Sequence, residues 1–271
     1  MVKDDKVVEV YTKALENGWQ TLTHANGDRA IDQMIMGWEK AEAAVPGVDV
    51  RPVLIHGQTL RKDQVAELKT LGIFPSLFPM HTFYWGDWHR DSVLGPERAE
   101  NISPTGWVRE AGMRFTTHHD APVALPNAMR VLDATVNRTT RSGKVLGEAQ
   151  KVSVMTALKA MTIWSAYQHF EEASKGSIEV GKLADFVVLS ENPLEVEPQT
   201  LHSLTVLETI KEGESIYQRS EDDAAAAQVA PPLGVSMAQA QWPASHGHYG
   251  ADGCFGPALE HIFHALNGTE H

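Results

Sequence analysis

The 271 residues include one cysteine, Cys254, so the chain can form no intrachain disulfide and no cysteine-built metal site. Positive charge is scarce: 23 Lys and Arg stand against 35 Asp and Glu, for a net charge of −12. Such a chain lacks the basic face that nucleic acid or an anionic membrane requires, and neither is expected as a partner. No apolar run approaches the roughly 18–20 residues of a membrane span. The opening residues MVKDDKVVEV lack the apolar core of a signal peptide, which makes a soluble, cytoplasmic protein the default expectation. Glycine-rich phosphate loops and serine-elbow motifs are also missing, so the sequence carries no signature of either chemistry. Histidine, in contrast, is plentiful. There are thirteen, and imidazole both binds metals and titrates near neutrality.

Four short extended runs stand out, each followed by a helical stretch. They are 19–23 (WQTLT), 51–55 (RPVLI), 73–77 (IFPSL) and 113–117 (MRFTT). Helical spacing of apolar residues predicts helices over 5–17, 29–44, 62–71, 104–111, 126–137 and 153–170. The stretch TFYWGDWHRD (82–91) shows no such period and reads as an aromatic loop. Strands alternating with helices argue for a parallel sheet in an α/β architecture. After Phe170 the texture changes. GSIEVGKLADFVVLS (176–190) and LTVLETIKEGESIY (204–217) read as short antiparallel strands with glycine punctuation. The alanine-rich segment beyond Arg219 reads as a linker. The expected divisions are 1–170, an α/β part; 171–219, β-strands; and 220–271, a linker and tail.

Chemistry concentrates where the strands end. His24 follows the first run, His56 the second, His81 lies shortly after the third, and His118, His119 and Asp120 follow the fourth. In parallel α/β folds the carboxyl ends of neighbouring strands face one side, where active sites lie. Histidines and a carboxylate tens of residues apart can therefore meet in one cleft. That donor set suits zinc, manganese or iron. A single histidine at a strand end is more often a surface or capping residue; here repetition at successive ends carries the argument. Side chains alternate along a strand, so at most one of His118 and His119 should face the cleft. Phe83, Tyr84, Trp85 and Trp88 either line a substrate pocket or cover the mouth of the site. Asn26-Gly27-Asp28-Arg29 reads as a turn that starts a helix. In the tail, His246-Gly247-His248 and the pair His261 and His264 have ligand-like spacing, but the surrounding glycine and proline argue for a loop.

Four segments carry a family resemblance: THANGDRAID (23–32), VLIHGQ (53–58), HHDAPV (118–123) and GSIEVGKLADFVVLSENPL (176–194). With these the chain resembles the C-terminal half of the amidohydrolase superfamily, in the amidohydrolase-3 branch that holds the YtcJ-like hydrolases and the N-acyl-D-amino-acid deacylases. The resemblance covers about residues 5–219. It implies part of a metal-dependent (β/α)₈ barrel, strands five to eight, with a small β-sandwich portion. It further implies that His24, His56 and Asp120 bind a divalent metal, with zinc expected. Asp120 would also be the catalytic proton shuttle, and His81, His119 and Trp85 would contact a small-molecule substrate. In the family a small residue precedes the aspartate, where this chain has His119.

The resemblance also implies residues this stretch does not supply: an H-x-H after a first strand, and a lysine or glutamate after a fourth. Four strands cannot close a barrel. A longer N-terminal half, a partner chain or a second copy in a homo-oligomer is therefore expected to complete it. The leading expectation is a hydrolase of amide or related C–N bonds. Its rivals are a catalytically silent half-barrel and a small-molecule binder without chemistry.

Overall fold

Helix positions follow the apolar period closely. In the computed structural model, which describes residues 2–220, α1 (Asp4–Glu16) buries Tyr11, Ala14 and Leu15. Its first turn carries Asp4 and Asp5 and its last turn Lys13, which suits the helix dipole. Helix α2 (Asp28–Ala44) buries Ile31, Met34, Ile35, Trp38 and Ala41, a stripe at three- and four-residue spacing. Helix α3 (Lys62–Thr70) buries Val65 and Leu68. These stripes pack into one core with Leu54, Ile73, Leu77 and Phe115. Each fully buried Leu or Ile there contributes about 1.5–3 kcal/mol relative to exposure.

The strands behind those helices are β1 (Leu22–Ala25), β2 (Val53–His56), β3 (Phe74–Leu77) and β4 (Thr116–Thr117). They form a four-stranded sheet in sequence order, and every pairing is parallel, with Ala25 opposite His56 and Ser76 opposite Thr116. Parallel neighbours need crossover connections, which α2, α3 and the segment holding α6 (Thr105–Glu110) provide. All four strands thus send their carboxyl ends to the same side. Helix α7 (Ala128–Asn137) follows, N-capped by the Asn127 side chain on the Arg130 amide.

A second sheet joins β5 (Phe186–Leu189), β6 (Val206–Lys211) and β7 (Glu214–Gln218), all antiparallel. Between β6 and β7 the two-residue turn Glu212-Gly213 has φ of 51° and 85°, the doubly left-handed geometry that tight hairpins require. Val187, Ile216 and Tyr217 on this sheet are exposed.

Three expectations need correction. The aromatic segment is helical: α4 spans Met80–Trp88, a π-helical turn covers His89–Val93, and α5 follows at Gly95–Ala99. Met80, His81, Thr82 and Gly86 are buried, and Phe83, Tyr84 and Trp85 half-buried, around most of its circumference, so no polar stripe gave it a period. Gly86 lets this helix approach its neighbours, since a Cβ there would come within 2.9 Å of Thr140 and 3.0 Å of Leu146. The single helix expected over 153–170 is two, α8 (Val154–Met161) and α9 (Ile163–Gln168). They break at Thr162, whose φ of −125° and ψ of −97° lie outside the helical region. The fourth strand is two residues, not five. Residues 221–271, with the expected linker, Cys254 and the ligand-like histidines His246, His248, His261 and His264, lie outside the described residues.

Candidate active site

The site forms where backbone geometry departs from regular strand. In β1 the alternation is intact: the Thr23 hydroxyl bonds the Tyr11 hydroxyl at 2.8 Å and Ala25 joins the core, while Leu22 and His24 face the other way and are exposed. In β2 the same alternation would send His56 to the helix side with Leu54. Instead His56 has a φ of 75°, a left-handed conformation uncommon for a side chain with a Cβ. Its ring lies 4.7 Å from that of His24, edge to face. Asp120 is also left-handed, with a φ of 54°, and its Oδ2 lies 3.7 Å from His56 Nε2. Strain of this kind is found where surrounding structure enforces it, often at functional sites.

His118 continues the β4 alternation from Thr116 and turns towards His56. Its Nε2 lies 2.9 Å from His56 Nδ1, and its Nδ1 lies 3.0 Å from Ser76 Oγ. Phe78 stacks on the His118 ring at 5.3 Å, the planes only 7° apart. His119 points elsewhere, its Nδ1 accepting the Ala121 amide at 3.2 Å. One of the two adjacent histidines therefore faces the cluster, as alternation requires.

His81 sits in the first turn of α4, buried, with its ring 6.1 Å from that of His56 and 6.4 Å from Trp85. Its Nδ1 lies 3.2 Å from Ser103 Oγ, and that hydroxyl donates to the Phe78 carbonyl at 2.9 Å. A hydroxyl has one proton, so Ser103 must accept from His81. His81 is thus protonated at Nδ1, and its Nε2 carries a lone pair. Beside it, Gln58 Nε2 lies 2.7 Å from His89 Nε2, and His89 Nδ1 is buried without a partner.

Electrostatics hold these rings neutral. Burial drives the His118 pKa down to about 3, with His56 and His119 adding repulsion. Burial lowers His56 as well; Asp120 opposes the shift and His24 reinforces it. His81 falls well below the usual range, from burial first and from the surrounding histidines second. Burial alone lowers His89. Neutral imidazoles have the lone pairs that metal coordination needs.

Two imidazoles and a carboxylate are a chemically suitable donor set for a divalent cation. Two ligand atoms about 2.1 Å from a tetrahedral ion sit about 3.4 Å apart, close to the 3.7 Å between His56 Nε2 and Asp120 Oδ2. Next to His24, the Asn26 amide nitrogen makes a long 3.5 Å contact with Nε2, and Asn26 Oδ1 is buried and unpartnered. The residues present therefore fit such an ion. Among the described residues, however, no three His, Cys, Asp or Glu side chains are gathered closely enough to hold one as they stand.

Of the residues singled out from sequence, His24, His56, His81 and Asp120 converge, Trp85 flanks His81, and His119 engages its own loop. Of the pair His118 and His119, it is His118 that faces the cluster, and Ser76 and Ser103 were missed as contributors. Alternation from Phe115 through Thr117 carried the one available signal, for His118.

The family model described as "Amidohydrolase family" matches residues 1–217. The chain is 28% identical over 223 residues to YtcJ of Bacillus subtilis strain 168, covering 81% of this chain and 41% of that protein. It is 27% identical over 220 residues to an N-substituted formamide deformylase of Arthrobacter pascens, covering 79% and 40%. The chain thus spans about two fifths of the length of these curated relatives. Among solved structures, an uncharacterized metal-dependent hydrolase of Pyrococcus horikoshii superposes with a TM-score of 0.63 at 24% identity, over 73% of this chain and 39% of the other. One of Pyrococcus furiosus gives 0.60 at 26% identity, over 72% and 38%. With a family model matched across residues 1–217, the chain belongs to the amidohydrolase family.

Proposed function

We propose that the chain is part of a metal-dependent hydrolase of amide or related C–N bonds, with β1–β4 standing as strands five to eight of an eight-stranded barrel. The observation that carries this reading is the approach of His56 Nε2 to Asp120 Oδ2, 3.7 Å apart beside the His24 ring. His24, His56 and Asp120 are the residues that would hold the metal, with zinc favoured by their N and O donors. When bound, the ion supplies a water acidic enough to lose its proton near neutral pH. Asp120 would hold on its carboxylate a proton taken from the attacking water and give it to the departing amine nitrogen. The buried rings stay neutral throughout, so proton traffic runs through the carboxylate. His81 offers its Nε2 lone pair to a substrate N–H or O–H, Trp85 provides an apolar wall beside it, and His119 keeps its Nε2 for the substrate. The remaining barrel strands come from a longer polypeptide or a second copy. This accords with β1 being an edge whose Leu22 is exposed among the described residues.

The test is dialysis of the purified chain against zinc, followed by elemental analysis and an amine-release assay. The first panel is N-substituted formamides, chosen from the name of the Arthrobacter relative, and then N-acyl amino acids. We expect bound zinc, and turnover that falls by at least about 10²-fold in Asp120→Asn. A chain that neither binds zinc nor releases amine sinks the reading.

A second reading has its own support. Because no three ligands close on an ion among the described residues, the stretch by itself is a silent half-site that gains activity only when completed. Zinc retained without turnover of any amide, and turnover restored on addition of a longer relative's N-terminal half, would favour it.

A further inference from the structure

His118 belongs to none of the roles proposed above, yet its Nε2 lies at hydrogen-bond distance, 2.9 Å, from His56 Nδ1. We infer that His118, backed by Ser76, is a positioning residue that accepts the Nδ1 proton of His56 in the one tautomer able to ligate a metal through Nε2. This inference rests on the proposed metal-binding role of His56.

The argument is a count of protons. A neutral imidazole carries one ring proton, and a hydroxyl carries one. His56 Nδ1 and His118 Nε2 are 2.9 Å apart, so one proton must lie between them. His118 Nδ1 and Ser76 Oγ are 3.0 Å apart, with the same requirement. Only two arrangements satisfy both contacts. In the first, Ser76 donates to His118 Nδ1, His118 Nε2–H donates to His56 Nδ1, and the His56 proton is left on Nε2, aimed at the Asp120 carboxylate. In the second, His56 Nδ1–H donates to His118 Nε2, and His118 Nδ1–H donates to Ser76 Oγ. Only the second leaves a lone pair on His56 Nε2, the atom 3.7 Å from Asp120 Oδ2. An ion at that position therefore selects one proton order along the whole chain.

The chain is held in place for this task. The His118 amide donates to the Leu77 carbonyl at 3.2 Å, anchoring its backbone to β3. Phe78 covers one face of the ring, and Ser76 is buried on the adjacent strand. Outer hydrogen bonds of this kind orient ligating histidines and raise their basicity, and losing one typically weakens metal binding 10–100-fold.

The bland alternative is that His118 fills space between Phe78 and His56 and contributes only stability. Zinc affinity, read by competition with a chromogenic chelator, separates the two, with the Tm of the metal-free chain measured alongside. His118→Phe keeps an aromatic plane against Phe78 and removes the acceptor; zinc affinity should fall about 10–100-fold. His118→Gln can place an amide oxygen near the vacated Nε2 position and should recover most of that loss. Ser76→Ala, the mildest change and the one least able to disturb folding, should weaken zinc binding about three- to tenfold. Equal affinity in all four proteins overturns the inference, as does a loss in His118→Phe that glutamine fails to recover. A wild-type chain that binds no zinc overturns the metal reading and this inference together. Zinc binding by wild type that His118→Phe leaves unchanged overturns this inference alone.

Discussion

The two ends of the parallel sheet are built from the same strands and could hardly differ more. At the carboxyl ends, ring nitrogens face one another and a carboxylate approaches an imidazole without closing on it. At the amino ends the contacts are closed and structural. Arg51, just before β2, meets Glu172 through both terminal nitrogens, at 3.0 and 2.8 Å. It also bonds the Tyr167 carbonyl, and its guanidinium lies 3.8 Å from the Tyr167 ring centre and 4.0 Å from that of Phe170. Gln20 ties the Arg51 carbonyl to the Gln168 carbonyl, and Thr116 bonds the Gln168 side chain. One end fastens the segment after α9 onto the sheet. The other keeps lone pairs and a carboxylate in reserve. In parallel α/β folds active sites lie at the carboxyl ends of the strands, and here the amino end carries the ion pair and carbonyl contacts that fasten the chain.

Acid should expose this asymmetry most strongly. His118 has a folded pKa of about 3 against an ordinary value of 6.5. Between those values the unfolded chain binds a proton that the folded chain does not, so stability rises with pH across the window and is lost as pH falls from 6.5 towards 3. By pH 4 the loss from this residue is on the order of 3 kcal/mol. His56, His81 and His89 are lowered in the same direction and deepen it. At the amino end the sign matches but the window does not. Arg51 holds the Glu172 carboxyl below its usual range, so its contribution survives until the pH falls through that lower range. Urea midpoints of the metal-free chain between pH 7 and 4 should therefore slide early in wild type and distinctly less in His118→Gln. An equal slope in both proteins would remove His118 from the cause.

Next in size is the amino end itself. Arg51→Ala removes a bidentate ion pair, a carbonyl contact and two ring contacts at once. Glu172 is about one-third exposed, so solvent screening discounts the pair, and the expected cost is about 2 kcal/mol. Zinc affinity and amide turnover should stay near wild type when measured well below the transition temperature. If Arg51→Ala instead lowered zinc affinity tenfold, the two ends would be coupled and the division drawn above would fail.

How far sequence could anticipate this division depends on what a periodic pattern can report. Helices α2, α3 and α7 were legible to within about two residues because each buries one stripe and exposes the other. Helix α4 was not, because aromatic residues cover most of its circumference and leave no contrast to read. The break at Thr162 carries neither glycine nor proline as a signal. Strand positions were legible only roughly: the runs at 19 and 113 begin several residues before pairing does, since local composition marks extended preference while pairing waits for the neighbouring strand. In the site, convergence of His24, His56 and Asp120 was legible from their repetition at strand ends. The left-handed turns at His56 and Asp120 were not, because neither residue type demands them. Nor was the partnership of His118 with Ser76, which needs the register of β3 against β4.

The smallest expected effect belongs to His119, and it tests the carboxyl end from within. His119 stands next to His118 in sequence yet makes none of its contacts; the hydrogen bond it accepts is the local one from the Ala121 amide. Replacing it with serine keeps a short acceptor near that amide, so stability should change by no more than about 0.5 kcal/mol. The zinc affinity of His119→Ser should equal that of wild type, because the His56–His118–Ser76 chain is untouched. Turnover is the sensitive measurement. If His119 contacts substrate through its free Nε2, KM should rise about three- to tenfold, the worth of one hydrogen bond, with kcat little changed. If KM is unmoved, the ring serves only its own turn. The contrast between adjacent histidines then becomes complete, with His118 tied to the metal side of the site and His119 to the loop that carries Asp120.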